Sequence, residues 1–156
     1  KLPWPDYYLY PFHSVPGGWL SREAALNNRP AMQSIYMDCH PHACLGMYAE
    51  LAKYIPCGAQ VVVDLGAGIG DSAAIAAQQM PDARVIALDC SQFMLIVGEK
   101  LHGGIRNLEF RHALAEATGL PDGSVDCVVI TLVLHECSDD GKAAIAREAY
   151  RILKPG

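Results

Sequence analysis

The sequence predicts an α/β chain built on a parallel sheet, and three observations carry that prediction. A β-branched run, Val61-Val62-Val63, ends in Asp64-Leu65 and then in glycines on alternate residues, Gly66-Ala67-Gly68-Ile69-Gly70. A second apolar run, Arg84-Val85-Ile86-Ala87-Leu88-Asp89, again ends in an acid, about twenty residues past the glycines. Segments of helical composition alternate with these runs, as they do when strands are joined by crossover helices.

Taken in order, residues 1–20 hold four prolines, two adjacent glycines and many aromatics, which predicts an irregular arm. Between Ala43 and Ile55, apolar residues Leu45, Tyr48, Leu51, Ala52 and Ile55 fall at helical intervals, and Pro56 with Gly58 stops the helix. Strand one is expected at about 61–65, where three valines suit a strand buried on both faces. The alanine-rich stretch 71–80 has few helix breakers and predicts a helix whose amino end faces whatever the glycines face. Strand two follows at 84–88, a helix at 91–102, strand three at 108–113, strand four at 126–133 and a last helix at 140–153. The expected organisation is an amino-terminal arm and helix over 1–56 and a core over 57–156.

Composition narrows the function. A chain of 156 residues, 51% of them hydrophobic, supports one core. A net charge of −5 argues against a broad nucleic-acid surface and for a small-molecule partner. The longest apolar run, near Cys127 to Leu134, is well short of the roughly 20 residues that span a bilayer, so no membrane span is expected. No signal peptide is recognisable and the chain opens on Lys1. Six cysteines, at 39, 44, 57, 90, 127 and 137, lack a C-x-x-C pair and read as free thiols. A cytoplasmic or plastid location is the expectation, not secretion.

The glycine spacing selects the ligand. Strand, glycine turn and helix make half of a Rossmann-like unit, but the dinucleotide form is G-x-G-x-x-G and this chain reads Asp-Leu-Gly-x-Gly-x-Gly. Asp64 at the strand end repels a pyrophosphate and suits an ammonium group. Asp89 can accept both ribose hydroxyls. A nucleoside with an amino-acid tail satisfies both acids.

Four blocks, Asp64–Gly70, Val85–Asp89, Leu120-Pro121-Asp122-Gly123-Ser124-Val125-Asp126 and Arg151-Ile152-Leu153-Lys154-Pro155-Gly156, resemble the class I S-adenosylmethionine-dependent methyltransferases of the methyltransferase 11 type. They cover roughly the last two-thirds of the chain in the family's order. Asp6-Tyr7-Tyr8-Leu9 and Gly17-Gly18-Trp19-Leu20-Ser21 resemble a branch of plants, algae and cyanobacteria. The resemblance implies a seven-strand sheet ordered 3-2-1-4-5-7-6, of which this sequence carries about four strands, because strand five normally begins near Lys154-Pro155-Gly156. The expectation is therefore a carboxy-terminally truncated fold with an irregular or helical arm. Strand four, with Val128, Val129, Ile130, Leu132 and Val133, becomes an apolar edge that needs covering, by a partner or by self-association.

The resemblance also assigns residues. It places Asp64 on the amino group of S-adenosyl-L-methionine, directly or through water, and Gly66, Ala67 and Gly68 around its methionine part. Asp89 falls on the ribose, Cys90 and the backbone of Ala115 near the adenine, and Thr131 facing the sulfonium. Asp89 alternatively caps the helix beginning near Ser91, and Thr131 is alternatively an ordinary buried strand residue. Leu114 stands where the family commonly has an acid that grips the adenine amino group, with Glu116 as a substitute or a solvated side chain. His135, just past strand four, is placed as a general base toward an acceptor hydroxyl or as a structural histidine.

Two segments carry a second reading. Cys39-His40-Pro41-His42-Ala43-Cys44 contains zinc-ligand types, but adjacent ligands on so short a run, with Pro41 fixing the backbone, do not close a tetrahedron, and a helix entry with no metal is expected. Tyr7, Tyr8, Tyr10, Phe12, His13 and Trp19 form either a lid over the acceptor or an arm packed on the domain. The functional expectation is methyl transfer to a small molecule. Its alternatives are a non-catalytic nucleoside-binding or assembly module and an NAD-dependent oxidoreductase.

Overall fold

Runs that are apolar at every position need cover on both faces, and the central strands have it. The computed structural model describes residues 4–9, 18–36 and 43–156. Strands β1 (Val61–Leu65), β2 (Arg84–Asp89), β3 (Leu108–His112) and β4 (Cys127–Val129) form one parallel sheet in the order β3-β2-β1-β4. Among the described residues five helices surround it, α1 (Arg22–Tyr36), α2 (Ala43–Ala52), α3 (Asp71–Gln79), α4 (Gln92–His102) and α5 (Asp139–Ile152). Alternate residues divide the core. Val63, Leu65, Ile86 and Leu88 pack with Ile145 and Ile152 of α5 on one face, while Val62, Val85 and Ala87 pack with Ala73, Ala76 and Ala77 of α3 on the other.

Side chains close the ends of this sandwich. Asp126 Oδ2 accepts from the backbone N–H of Gln60 (3.0 Å) and Val61 (2.9 Å), which fixes where β1 enters the sheet. The amide of Asn107 donates to the carbonyls of Ala77, Met80 and Ala83, tying the α3–β2 connection to the start of β3. Buried Glu148 on α5 accepts from the Thr118 N–H (2.8 Å) and hydroxyl (2.6 Å) and from Arg151. That pairing holds the Glu148 carboxyl down to about 2, the Arg151 contact being the largest cause.

Two elements differ from the sequence expectation. The strand expected over 126–133 keeps ladder pairing only over Cys127–Val129. Leu132 takes φ 58°, a left-handed conformation that stops extension, and the chain turns into a 3-10 helix at Leu134–Glu136. Helix α1 was not expected, since Asn27, Asn28 and an internal Pro30 all disfavour helix. Ser21 Oγ accepts from the Ala24 N–H at 3.0 Å at its start, and Ala24 and Ala25 are buried with Trp19, Ile69 and Met94. Packing outweighs propensity here. Among the described residues no helix is long and apolar enough to cross a membrane.

Candidate active site

In a parallel sheet all strand carboxyl ends lie on one edge, and the loops leaving β1, β2, β3 and β4 meet there. The β1 loop is fixed first. The N–H groups of Gly66 (2.8 Å) and Ala67 (3.0 Å) both donate to the Leu88 carbonyl, which sets the loop against the end of β2. Gly66 has φ 73°, and a Cβ there would lie 2.5 Å from Cγ2 of Val133, so only glycine lets the β1 and β4 ends approach. At Gly68, φ 57° again requires glycine, but a Cβ would meet nothing within 4 Å. The loop backbone there borders open space.

That space is a cleft of about 410 Å³, a size ordinary for a cofactor or drug-sized ligand. Gly66, Ala67, Gly68, Asp89, Cys90, Ala115, Thr131 and His135 all line it, so the sheet brings together eight of the nine residues singled out from the sequence. Asp64 is the exception. It is buried beneath the loop, accepts from the Ser72 hydroxyl, and faces a smaller void of about 20 Å³. Ser72 lines both spaces.

Asp89 joins two walls of the cleft. Its Oδ2 accepts from the Gly68 N–H at 2.8 Å and its Oδ1 from the Ser91 N–H at 2.7 Å. The side chain that caps α4 is Ser91, accepting from Met94 N–H, so capping does not account for Asp89. Each carboxylate oxygen keeps a second acceptor site, enough for two ligand hydroxyls. Burial pushes the Asp89 carboxyl up to about 6, the Ser91 and Gly68 N–H groups pull it back in part, and nearby Glu136 raises it further. Burial likewise drives Asp64 up to about 7, opposed by the Ser72 hydroxyl and reinforced by Asp89. Both acids favour a ligand that brings hydrogen-bond donors or positive charge.

The arm supplies the outer wall. Tyr7, Tyr8 and Trp19 line the cleft, and the Tyr7 hydroxyl donates to Glu116. Trp19 Nε1 donates to Glu136 Oε2 at 3.1 Å, while the Trp19 carbonyl accepts from Ser91 Oγ at 2.7 Å, so one residue ties the β4 rim to the α4 rim. Trp4 Nε1 donates to the Cys90 carbonyl at 3.1 Å. Tyr10, Phe12, His13 and the metal-like Cys39 to Cys44 segment lie outside the residues whose side chains are described. Among the described residues no group of His, Cys, Asp or Glu could hold a metal ion. Sequence reasoning missed Asn28, Met32 and Tyr48, which α1 and α2 bring to the cleft, and gave Glu136 no part. His135 Nε2 lies 3.8 Å from Glu136 Oε1 on the half-exposed rim.

A family described as the methyltransferase domain matches residues 62–156, from β1 to the last residue. The chain belongs to that family. The ubiquinone/menaquinone biosynthesis C-methyltransferase UbiE of an Enterobacter species is 41% identical over 101 residues, covering 62% of this chain and 39% of that protein. Among solved structures, YcgJ of Bacillus aligns with a TM-score of 0.59 at 31% identity, over 72% of this chain and 47% of the other. Human N-acetylserotonin methyltransferase in complex with SAM aligns with a TM-score of 0.70 at 18% identity, over 94% of this chain and 40% of the other, a likeness of fold. The chain thus spans about two-fifths of the length of the curated relatives it matches. Membership in a methyltransferase family argues against the oxidoreductase alternative.

Proposed function

We propose that the cleft holds S-adenosyl-L-methionine and that this domain directs its methyl group to a small-molecule acceptor. The observation that carries the reading is Asp89. A buried carboxylate with acceptor capacity on both oxygens stands at the end of β2, bonded to a glycine loop that leaves room for a ligand. Bound there, the cofactor would supply a methyl on a sulfonium, for in-line transfer to an electron pair of an acceptor oxygen, nitrogen or carbon as the C–S pair returns to sulfur. The residues position and shield. Asp89 takes the ribose hydroxyls, the Gly66, Ala67 and Gly68 backbone and Asp64 hold the amino-acid end, and Cys90 and Ala115 flank the adenine. Thr131 faces the transfer path.

Because a sulfonium is already a good leaving group, proximity and alignment supply most of the acceleration. His135 on the rim is the group to take the acceptor's proton where the acceptor is a hydroxyl. The arm over 1–56 serves as a lid on the core over 57–156, a reading supported by Tyr7, Tyr8 and Trp19 in the cleft wall. The negative net charge supports a small acceptor and not nucleic acid. Cys57, Cys90, Cys127 and Cys137 are free thiols, in keeping with a reducing cytoplasmic or plastid location.

Calorimetric titration with S-adenosylhomocysteine, with NAD as control, tests the reading. Binding of the first ligand alone, lost in Asp89→Ala, is the expected result. A folded protein that binds neither, or NAD in preference, would refute it. Turnover in a longer chain would then separate an enzyme from a binding module.

A further inference from the structure

The loops that leave β3 and β4 each bring one carboxylate to the cleft, and neither is among the residues assigned to the cofactor. Glu116 follows Ala115 beyond β3, and Glu136 sits in the 3-10 turn beyond β4. Each is bonded to an aromatic side chain of the arm. The Tyr7 hydroxyl donates to Glu116 Oε1, and Trp19 Nε1 donates to Glu136 Oε2. Tyr8 and Tyr48 add two more rings to the wall, and no Lys or Arg is among the described residues that line it.

The two carboxylates act on one neighbourhood. Burial raises the Cys137 thiol, and Glu116 and Glu136 both raise it further against the pull of the Tyr7 hydroxyl. Burial also raises the Tyr8 hydroxyl, and Asp89 and Glu136 add to it. The Glu136 side chain is 17% exposed, so its charge acts with less screening than it would on an open surface. Aromatic faces add their own attraction for a cation. An anionic acceptor meets repulsion on this wall, and a neutral one gains nothing from its charge.

We infer that the acceptor is an aliphatic amine, received as its ammonium by Glu116, Glu136 and the rings bonded to them, and that the domain methylates nitrogen. The inference rests on the reading that the cleft holds S-adenosyl-L-methionine. An ammonium has no lone pair, so it first gives one proton to the imidazole of His135, which lines the same cleft. His135 Nε2 lies 3.8 Å from Glu136 Oε1, so the imidazolium forms beside a carboxylate. The freed nitrogen pair makes the N–C bond as the C–S pair stays with sulfur. The product leaves as an N-methylammonium, and the proton passes from half-exposed His135 to solvent.

The test is calorimetric titration of three probes into protein saturated with S-adenosylhomocysteine, whose sulfur carries no charge. 2-Phenylethylamine, 2-phenylethanol and phenylacetate share a ring and differ, near neutral pH, in being cationic, neutral and anionic. The amine should bind about tenfold or more tighter than the other two, because its contacts are charge-assisted. Glu116→Gln and Glu136→Gln keep an oxygen to accept from Tyr7 and Trp19 and remove only charge. Each should cut the preference by about threefold or more, and the double variant should bring it within about twofold. The single variants carry the test if the double variant fails to give a cooperative melt. Alcohol or phenylacetate binding as tightly as the amine, no probe binding at all, or a preference that the substitutions leave intact would overturn the assignment. If the wild type does not bind S-adenosylhomocysteine, the cofactor reading itself fails, and that outcome is distinct from the others.

Discussion

Acidification should weaken ligand binding while it stabilises the ligand-free site, and the two effects come from the same carboxylates. Asp89 is held up at about 6 and Asp64 at about 7, chiefly by burial. For an acid whose folded value is raised, the folded state binds more protons, so its contribution to stability grows as pH falls from about 7 toward about 4. A ligand that donates ribose hydroxyls to Asp89 and an ammonium to Asp64 needs both ionised. Affinity should therefore fall as pH drops through the same window. From Asp89 alone, a group titrating near 6 is about nine-tenths protonated at pH 5, which predicts about a tenfold loss relative to pH 7.5, and Asp64 adds to it.

The assay is calorimetry with S-adenosylhomocysteine at about pH 7.5, 6 and 5 in buffers of different ionisation enthalpy, so that proton release on binding is read directly. 5′-Methylthioadenosine, lacking the ammonium, should show the smaller Asp89 effect. Asp89→Asn should flatten that part of the profile. Affinity that is constant over this range, or that rises on acidification, would refute the reasoning that these buried acids meet the ligand in their charged form.

Three further outcomes are expected. Gly66→Ala places a methyl 2.5 Å from Val133 Cγ2 at a φ of 73°, so it should cost about 1–3 kcal/mol in urea unfolding and reduce ligand affinity. Glu148→Gln loses the charge that holds Thr118 and Arg151. It should cost about 1–3 kcal/mol near pH 7. Because the folded Glu148 value is depressed to about 2, that difference is present above about pH 4.5 and shrinks toward pH 2, so denaturation of both proteins near pH 3 should show them converging. Trp19→Phe removes the N–H that holds Glu136. In the parent protein, intrinsic fluorescence should change on S-adenosylhomocysteine binding, because Trp4 and Trp19 both bond at the cleft, and Trp19→Phe should lose most of the Trp19 part while retaining the fold.

Local chemistry made the sheet and much of its ligand edge legible. Val61 to Gly70 and Arg84 to Asp89 could be read because strand burial and glycine geometry are short-range demands, and the structure keeps both runs close to their expected bounds. Strand four was read too long because Ile130 to Val133 have strand-like composition, whereas the turn at Leu132 lies where Val133 packs against the β1 loop. Helix α1 was hidden by Pro30 and two asparagines, whose unfavourable propensities are offset by contacts with Ile69 and Met94 far along the chain. Arg29 and His102 both bond to the Asp71 carboxylate across separations of 42 and 31 residues, and no spacing rule could pair them. Asp64 lies one layer below the cleft surface, behind Ser72, a depth that its place in the β1 run does not reveal.

A crystal structure of the chain with S-adenosylhomocysteine would test the central claim most directly. The account predicts ribose hydroxyls on the Asp89 carboxylate, adenine between Cys90 and Ala115, and the amino-acid tail along the glycine loop. Ligand density elsewhere on the protein, or a nucleoside in the cleft with no contact to Asp89, would contradict it.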